Sequence, residues 1–230
     1  MTNGLTVKHK EVVVPGETLC TDMGYLPGPG TYRQGESIHA ERLGLAQVEG
    51  RSIKIIPLSG KYMPKRDDVI ICKVIDITLN GWRLDTNCAY SAMLGLKEAS
   101  SDFIQRGADL TQIYALGDYV MTQVIQVTSQ KLVDVSMRGP GLRKFRGGRV
   151  IEVNPFKVPR IIGKQGSMIS MIKQALNCNI VVGQNGLIWI QGEPLSEQRA
   201  IATIRKIEAE CHVPGLTERI GEYLKQYSQA

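Results

Sequence analysis

At 230 residues, 43% apolar and 22% charged, the chain has room for one large domain or two to three small ones and shows no compositional bias toward disorder. No stretch approaches the roughly 18–20 apolar residues of a membrane span and the N-terminal MTNGLTVKHKEVVV has no signal-peptide core, so an intracellular protein is expected. The net charge of +6 sits wholly in the C-terminal third: residues 143–230 carry 13 basic and 7 acidic side chains, whereas the two earlier thirds are balanced, which points to a polyanionic partner.

Residues 1–60 read as a small all-β unit. EVVV stops at Pro15-Gly16, YLPGPGTY reads as a long turn, and SIHAERLGLAQVEGRSIKIIPL as strands turning near Glu49-Gly50. Residues 61–142 are also β-rich, on a more regular plan. VIICKVIDI turns at Asn80-Gly81 into WRLDT, AYSAMLGL follows, and a helix-or-loop excursion runs through Phe103 to Asp109. GDYVMTQVIQV and KLVDVSM then complete five strands, which predicts a small OB-type β-barrel.

Residues 143–212 alternate helices and strands. RGPGLRKFRGGRV supplies Arg138, Arg143, Lys144, Arg146 and Arg149, and Lys157, Arg160 and Lys164 extend the positive run with only Glu152 interrupting. Alone, such a run reads equally as a solvated linker. GGRVIEV is a strand, and Pro159 belongs near the start of a one-turn helix that runs into Gly163. Ser167 is the expected N-cap of the next helix, whose apolar stripe is Met168, Ile169, Met171, Ile172, Ala175 and Leu176. CNIVV and LIWIQ flank GQNG, a tight turn with a hairpin-type Asn-Gly, and Ala200, Ile201, Ile204 and Ile207 mark a last long helix. In residues 213–230, Ile220, Tyr223, Leu224 and Tyr227 share one helical face, with two possible destinations: the preceding domain or a partner subunit.

The stretch VPRIIGKQGSMI, Val158 to Ile169, decides between chemistries. Walker A needs G-x-x-x-x-G-K-[ST], whereas Gly163-Lys164-Gln165-Gly166-Ser167 is shorter and holds its lysine inside the glycine pair. Gly28-Pro29-Gly30 fails as a dinucleotide loop because Arg33 occupies the sixth position and no helix follows. As a clamp for a single-stranded backbone the motif fits. Its glycines allow close approach, amides near the start of the Ser167 helix offer donors, Lys164 adds a cation, and Ile161, Ile162 and Ile180 are expected to wall a groove for bases. Gly163, Lys164, Gln165, Gly166 and Arg160, with Arg143, Lys144, Arg146 and Arg149, are therefore the residues expected to contact a single-stranded nucleic acid.

Set between two helices in this strand order, Gly163 to Gly166 resembles the clamp of KH domains. LGDYVMTQVIQVTSQKLVDVSMR and CKVIDITLNGWRLD resemble the closing strands and first hairpin of an S1-type RNA-binding domain. Where S1-type domains present stacking aromatics, Asn80, Arg83 and Met93 stand here, and Trp82, one position out of register, is expected in the core or a subunit contact. The order of β unit, S1-type barrel and KH-like domain resembles the RNA-binding cap subunit of the archaeal exosome, the multisubunit 3′-to-5′ RNA-degrading complex.

That resemblance implies a multi-domain α+β protein without catalysis of its own, cytoplasmic, present in three copies on a ring of RNase-PH-type subunits. Residues 1–60 would dock on the ring, the 61–142 barrel would line the entry pore, the KH-like domain at 143–212 would lie outside, and Gly163 to Gly166 would touch the backbone of single-stranded RNA. Lys73, Arg83 and Arg138 would make pore-side contacts. No cofactor, metal or membrane partner is implied, and isolated His9, His39 and His212 suggest no general base. Two rivals remain at this point: a free-standing S1/KH regulator, and an enzyme of the polynucleotide phosphorylase type, whose modules stand in the opposite order behind catalytic domains missing here.

Overall fold

Short runs of β-branched residues punctuated by Gly and Pro fold the described residues of the N-terminal segment, 4–60, into seven strands. They are β1 (Val12–Val13), β2 (Thr18–Cys20), β3 (Leu26–Pro27), β4 (Thr31–Gln34), β5 (Ser37–Ala40), β6 (Gly44–Glu49) and β7 (Ser52–Pro57). The computed structural model describes residues 4–100, 104–105 and 107–228, in two compact units, 1–60 and 61–230. In the first unit the sheets β1-β6-β7-β3 and β2-β5-β4 bury Val13, Leu19, Ile38, Ala46 and Ile53. YLPGPGTY, expected as a turn throughout, contributes strand instead: Leu26–Pro27 runs parallel to Ser52–Ile53, with the Leu26 amide donating to the Arg51 carbonyl at 2.7 Å.

The second unit begins with a closed five-stranded barrel. Its strands β8 (Val69–Thr78), β9 (Gly81–Asp85), β10 (Ser91–Gly95), β11 (Tyr119–Val127) and β12 (Val133–Ser136) close in the order β10-β12-β11-β8-β9. A short helix α1 (Leu96–Ala99) and a 3-10 turn at Leu110–Gln112 lie between β10 and β11. The excursion expected through Phe103 falls partly outside the described residues. Alternation sends Ile70, Cys72, Val74, Trp82 and Leu84 inward. Trp82 is fully buried, donates from Nε1 to the Tyr114 carbonyl at 3.0 Å and meets the Tyr114 ring edge-to-face, so it is a core indole.

Residues from 149 onward form β13 (Arg149–Glu152), α2 (Val158–Ile162), α3 (Ser167–Leu176), β14 (Asn179–Val182), β15 (Leu187–Gln191), α4 (Pro194–Glu210) and α5 (Leu216–Ser228). The antiparallel sheet β13-β15-β14 turns Ile180, Ile188 and Ile190 toward Ile161, Ile172 and Ile204 of the helices. Helix α5 packs on α3 and α4, burying Ile220 and Leu224 in the same core. That settles the destination of its apolar face, although the Tyr227 side chain lies outside the described residues.

The opposite face of this sheet is covered too. Val150, Val181 and Trp189 pack on Ile71, Met121 and Tyr119 of the barrel's outer surface and on Phe145 of the segment before β13, with the Phe145 and Trp189 rings stacked at 4.6 Å. The unbroken apolar run VIIC in β8 follows from burial on both sides: Ile70 and Cys72 face the barrel interior and Ile71 faces the sheet. The Cys72 thiol is pushed up to about 12 by this burial, which leaves it protonated and inert at neutral pH.

Polar groups complete the seam. Strand β9 pairs with β8 only from Lys73 onward, so β8 between Val69 and Cys72 has a free edge. The turn Gly183–Gly186 fills it. Gln184 exchanges hydrogen bonds with the Val69 amide (2.5 Å) and carbonyl (3.0 Å). Fully buried Asn185 donates from Nδ2 to the Ile71 and Thr86 carbonyls at 2.7 and 2.8 Å and accepts from the Ile71 amide at 3.3 Å. The asparagine that reads as a hairpin residue thus bonds across the seam, while positive φ in the turn falls on Gly186.

At the seam's edge, hydrogen bonds from Lys61, 3.1 Å away, and from Asn87 hold the Glu152 carboxyl below the usual carboxylate range. A lowered folded-state pKa contributes stability above the unfolded value that is lost as pH falls through the folded one. The pair is exposed, so Lys61→Ala should cost less than about 1 kcal/mol at neutral pH. Wild type and variant should converge in urea unfolding as pH falls through the lowered pKa of Glu152. Asn185→Ala should cost more at every pH, about 1–3 kcal/mol for each buried backbone group left unpartnered. Equal urea midpoints for Asn185→Ala and wild type would contradict this account of the seam.

Candidate nucleic-acid interface

The chain entering the Gly-x-x-Gly loop is set by three local devices. Asn154 accepts from the Phe156 amide, Pro159 lies in the first turn of α2, and Gly163 ends that helix with φ 76 and ψ 175. The Gly163 amide donates back to the Pro159 carbonyl at 3.0 Å. Gln165 and Gly166 then both take left-handed backbone, at φ 54 and φ 79, so the chain reverses tightly with Lys164 and Gln165 exposed at its tip.

The two glycines serve different purposes. A Cβ on Gly163 would stand 2.7 Å from the Met168 Cβ and 2.8 Å from its amide nitrogen, so the loop folds onto α3 only without a side chain there. A Cβ on Gly166 would meet nothing within 4 Å; that position needs glycine for its φ and leaves open space in front of the loop.

Ser167, expected as the N-cap, is instead the first helical residue, at φ −59 and ψ −42. The left-handed Gly166 turns the chain into the helix one residue earlier and takes the capping position without a side chain. The amides of Gly166 and Ser167 already donate to the Gly163 and Lys164 carbonyls, which removes two of the anticipated donors. Ile161 and Ile180 are buried in the core and wall no groove, because both point between helices and sheet; Ile162 alone of the three is partly exposed.

The cations divide into two groups. Arg160 and Lys164 are exposed, have no ion-pair partner among the described residues, and line a cavity of about 410 Å³ beside the loop together with Gly163 and Ser167. Its far wall is the α4–α5 connection, a contribution with no local motif to announce it in the sequence.

The other basic residues lie elsewhere. Arg143 rests its guanidinium over the Phe145 and Trp189 rings at 5.9 and 5.8 Å, and Lys144 pairs with Asp118 at 2.5 Å. Arg149 pairs with Glu197 at 3.0 Å. Arg146 is exposed at the approach to β13. On the barrel, Arg83 pairs with Asp76 at 3.3 Å and stands across from Met93, Arg138 donates to the Ser100 carbonyl, and Lys73 lies 5.8 Å over the Tyr119 ring. Lys73 and Tyr119 also line a smaller cleft where the barrel meets β13.

A family model described as KH domain matches residues 148–195, and one described as the N-terminal region of exosome complex exonuclease RRP4 matches residues 12–49. Exosome complex component Rrp4 of Methanobrevibacter smithii is 41% identical over 214 residues, which cover 93% of this chain and 70% of that protein. Its counterpart in Methanothermus fervidus is 38% identical over 221 residues, covering 96% of this chain and 97% of that one. A crystal structure described as an exosome complex RNA-binding protein aligns with a TM-score of 0.67 at 27% identity, covering 74% of this chain and 98% of its own. Similar to the two Rrp4 proteins over nearly its whole length, the chain belongs to the Rrp4 family of exosome complex components.

Proposed function

We propose that this protein is the non-catalytic RNA-binding subunit of an exosome, holding single-stranded RNA and guiding its 3′ end toward an RNase-PH-type ring. The observation that carries this reading is the Gly163–Gly166 loop: two left-handed residues, open space before Gly166, and two unpaired cations, Arg160 and Lys164, on a shared cavity. Such a surface suits a phosphate backbone approached closely and read through its charge. The barrel contributes further contacts through Lys73, Arg83 and Arg138, and Arg143, Lys144, Arg146 and Arg149 set a positive field between the two modules. Residues 1–60 dock on the ring, three copies surround the entry pore, and the assembly works in the cytoplasm.

Support for a non-catalytic role comes from how the acid–base groups are used. His39 stacks on Tyr32 and lies 3.3 Å from the Thr18 hydroxyl, and Asp76, Asp118, Glu197 and Glu208 each pair with a neighbouring cation. The names borne by the relatives favour the exosome over a free-standing regulator.

Gly166→Asp should weaken single-stranded RNA binding by about tenfold or more, since it sets a carboxylate where a phosphate lies and such juxtaposition costs several kcal/mol. Gly166→Asn carries the same backbone strain, about 1 kcal/mol, without the charge, and should retain most of the affinity. Lys164→Ala should lower affinity for all sequences alike and reduce the salt slope by about one unit. Unchanged affinity in Gly166→Asp and Lys164→Ala, measured by fluorescence anisotropy, would move the site away from the loop. Affinity capture of the tagged chain from nuclease-treated cell extract should return ring subunits in stoichiometric amount; RNA binding without them would make this a free-standing regulator. The pure chain should shorten no RNA with or without phosphate and magnesium.

A further inference from the structure

Helix α5 is firmly held: Ile220 and Leu224 are buried, Arg219 pairs with Glu210 at 3.2 Å, and the Lys206 ammonium lies 4.4 Å over the Tyr223 ring. These contacts fix the turn before it, where the Val213 amide donates to the Glu210 carbonyl and Gly215 takes φ 71. The turn therefore stands as a wall facing the Gly-x-x-Gly loop across the 410 Å³ cavity. Arg160 and Lys164 line the loop side, and Thr217 and Glu218 the other. No residue of the β13-β15-β14 sheet lines this space, so it lies on the helical side of the loop, away from edge strand β14.

We infer that the α4–α5 turn and the first turn of α5 form the second wall of a trench that takes the phosphodiester backbone of RNA held at the loop, with Thr217 as a hydroxyl donor and Glu218 as a deliberate repulsive charge. This inference rests on the loop being the RNA clamp and adds a wall to it. Two cations against one carboxylate leave the trench net positive yet weaker than its cations alone would make it. A strand that must slide through is better served by such a hold than by a tight one. Glu218 has no ion-pair partner among the described residues, so its charge faces the trench uncompensated by a direct salt bridge.

The test uses the full chain and a labelled single-stranded oligoadenylate. Thr217→Glu adds a carboxylate in the first turn of α5, where it favours the helix, and is expected to weaken binding several-fold. Glu218→Gln is expected to strengthen it several-fold. Gln198→Glu, the same change of charge on an exposed part of α4 that does not line the trench, is expected to change nothing. If Thr217→Glu and Glu218→Gln leave affinity unchanged while Gly166→Asp abolishes it, the trench is overturned and the loop clamp stands. If all three are silent, both fail. Equal weakening by Gln198→Glu and Thr217→Glu would also overturn the trench, because the effect would then be one of net charge alone.

Discussion

The hydrogen bonds of Asn185 to the edge of β8 are the constraint on which the second unit depends. Strand β8 outruns its partner β9, leaving the backbone groups of Ile71 buried without partners and those of Val69 unpaired at the edge. The turn Gly183–Gly186 supplies those partners and brings Trp189 down on Ile71 and Phe145. A three-stranded sheet with helices on one face alone would expose the other. Here the barrel covers it, and the two modules become one body.

That rigidity reaches the candidate interface through the sheet. Buried Ile180, Ile188 and Ile190 anchor the helices, Met168 seats the first turn of α3, and Gly163 can approach Met168 only because it has no side chain. The loop is therefore presented in a fixed direction relative to the barrel. Around it the charges sort by what they already hold. Arg143, Lys144, Arg149 and Arg83 contact the protein's own rings and carboxylates, while Arg160 and Lys164 have no ion-pair partner among the described residues and line the cavity beside the loop. A positive stretch in the sequence thus resolves into cations with partners inside the protein and cations that line a cavity.

Much of this was legible in the sequence because it rests on local pattern. Period-two alternation and turn residues announced the five barrel strands, and Pro159, Gly163 and Gly166 announced the helix–loop–helix. What escaped depends on contacts between distant segments. Asn185 looks like a turn residue until β8 stands opposite it, and Ile71 sits in an unbroken apolar run whose second buried face appears only once the sheet covers it. Ile161 and Ile180 looked like groove walls because spacing gives a face but not which surface covers it. Ser167 has the chemistry of an N-cap, yet the left-handed Gly166 moved the helix start by one residue. The wall at Pro214 to Glu218 carries no motif and emerges only from the packing of α5.

The central claim is that RNA lies along the Gly163–Gly166 loop. Photocrosslinking of a 4-thiouridine-containing single-stranded RNA to the full chain, followed by peptide mass spectrometry, tests it most directly. The account predicts crosslinks on the peptide spanning Pro159 to Met168. Crosslinks confined to the barrel around Arg83 and Met93, with none on that peptide, would contradict it.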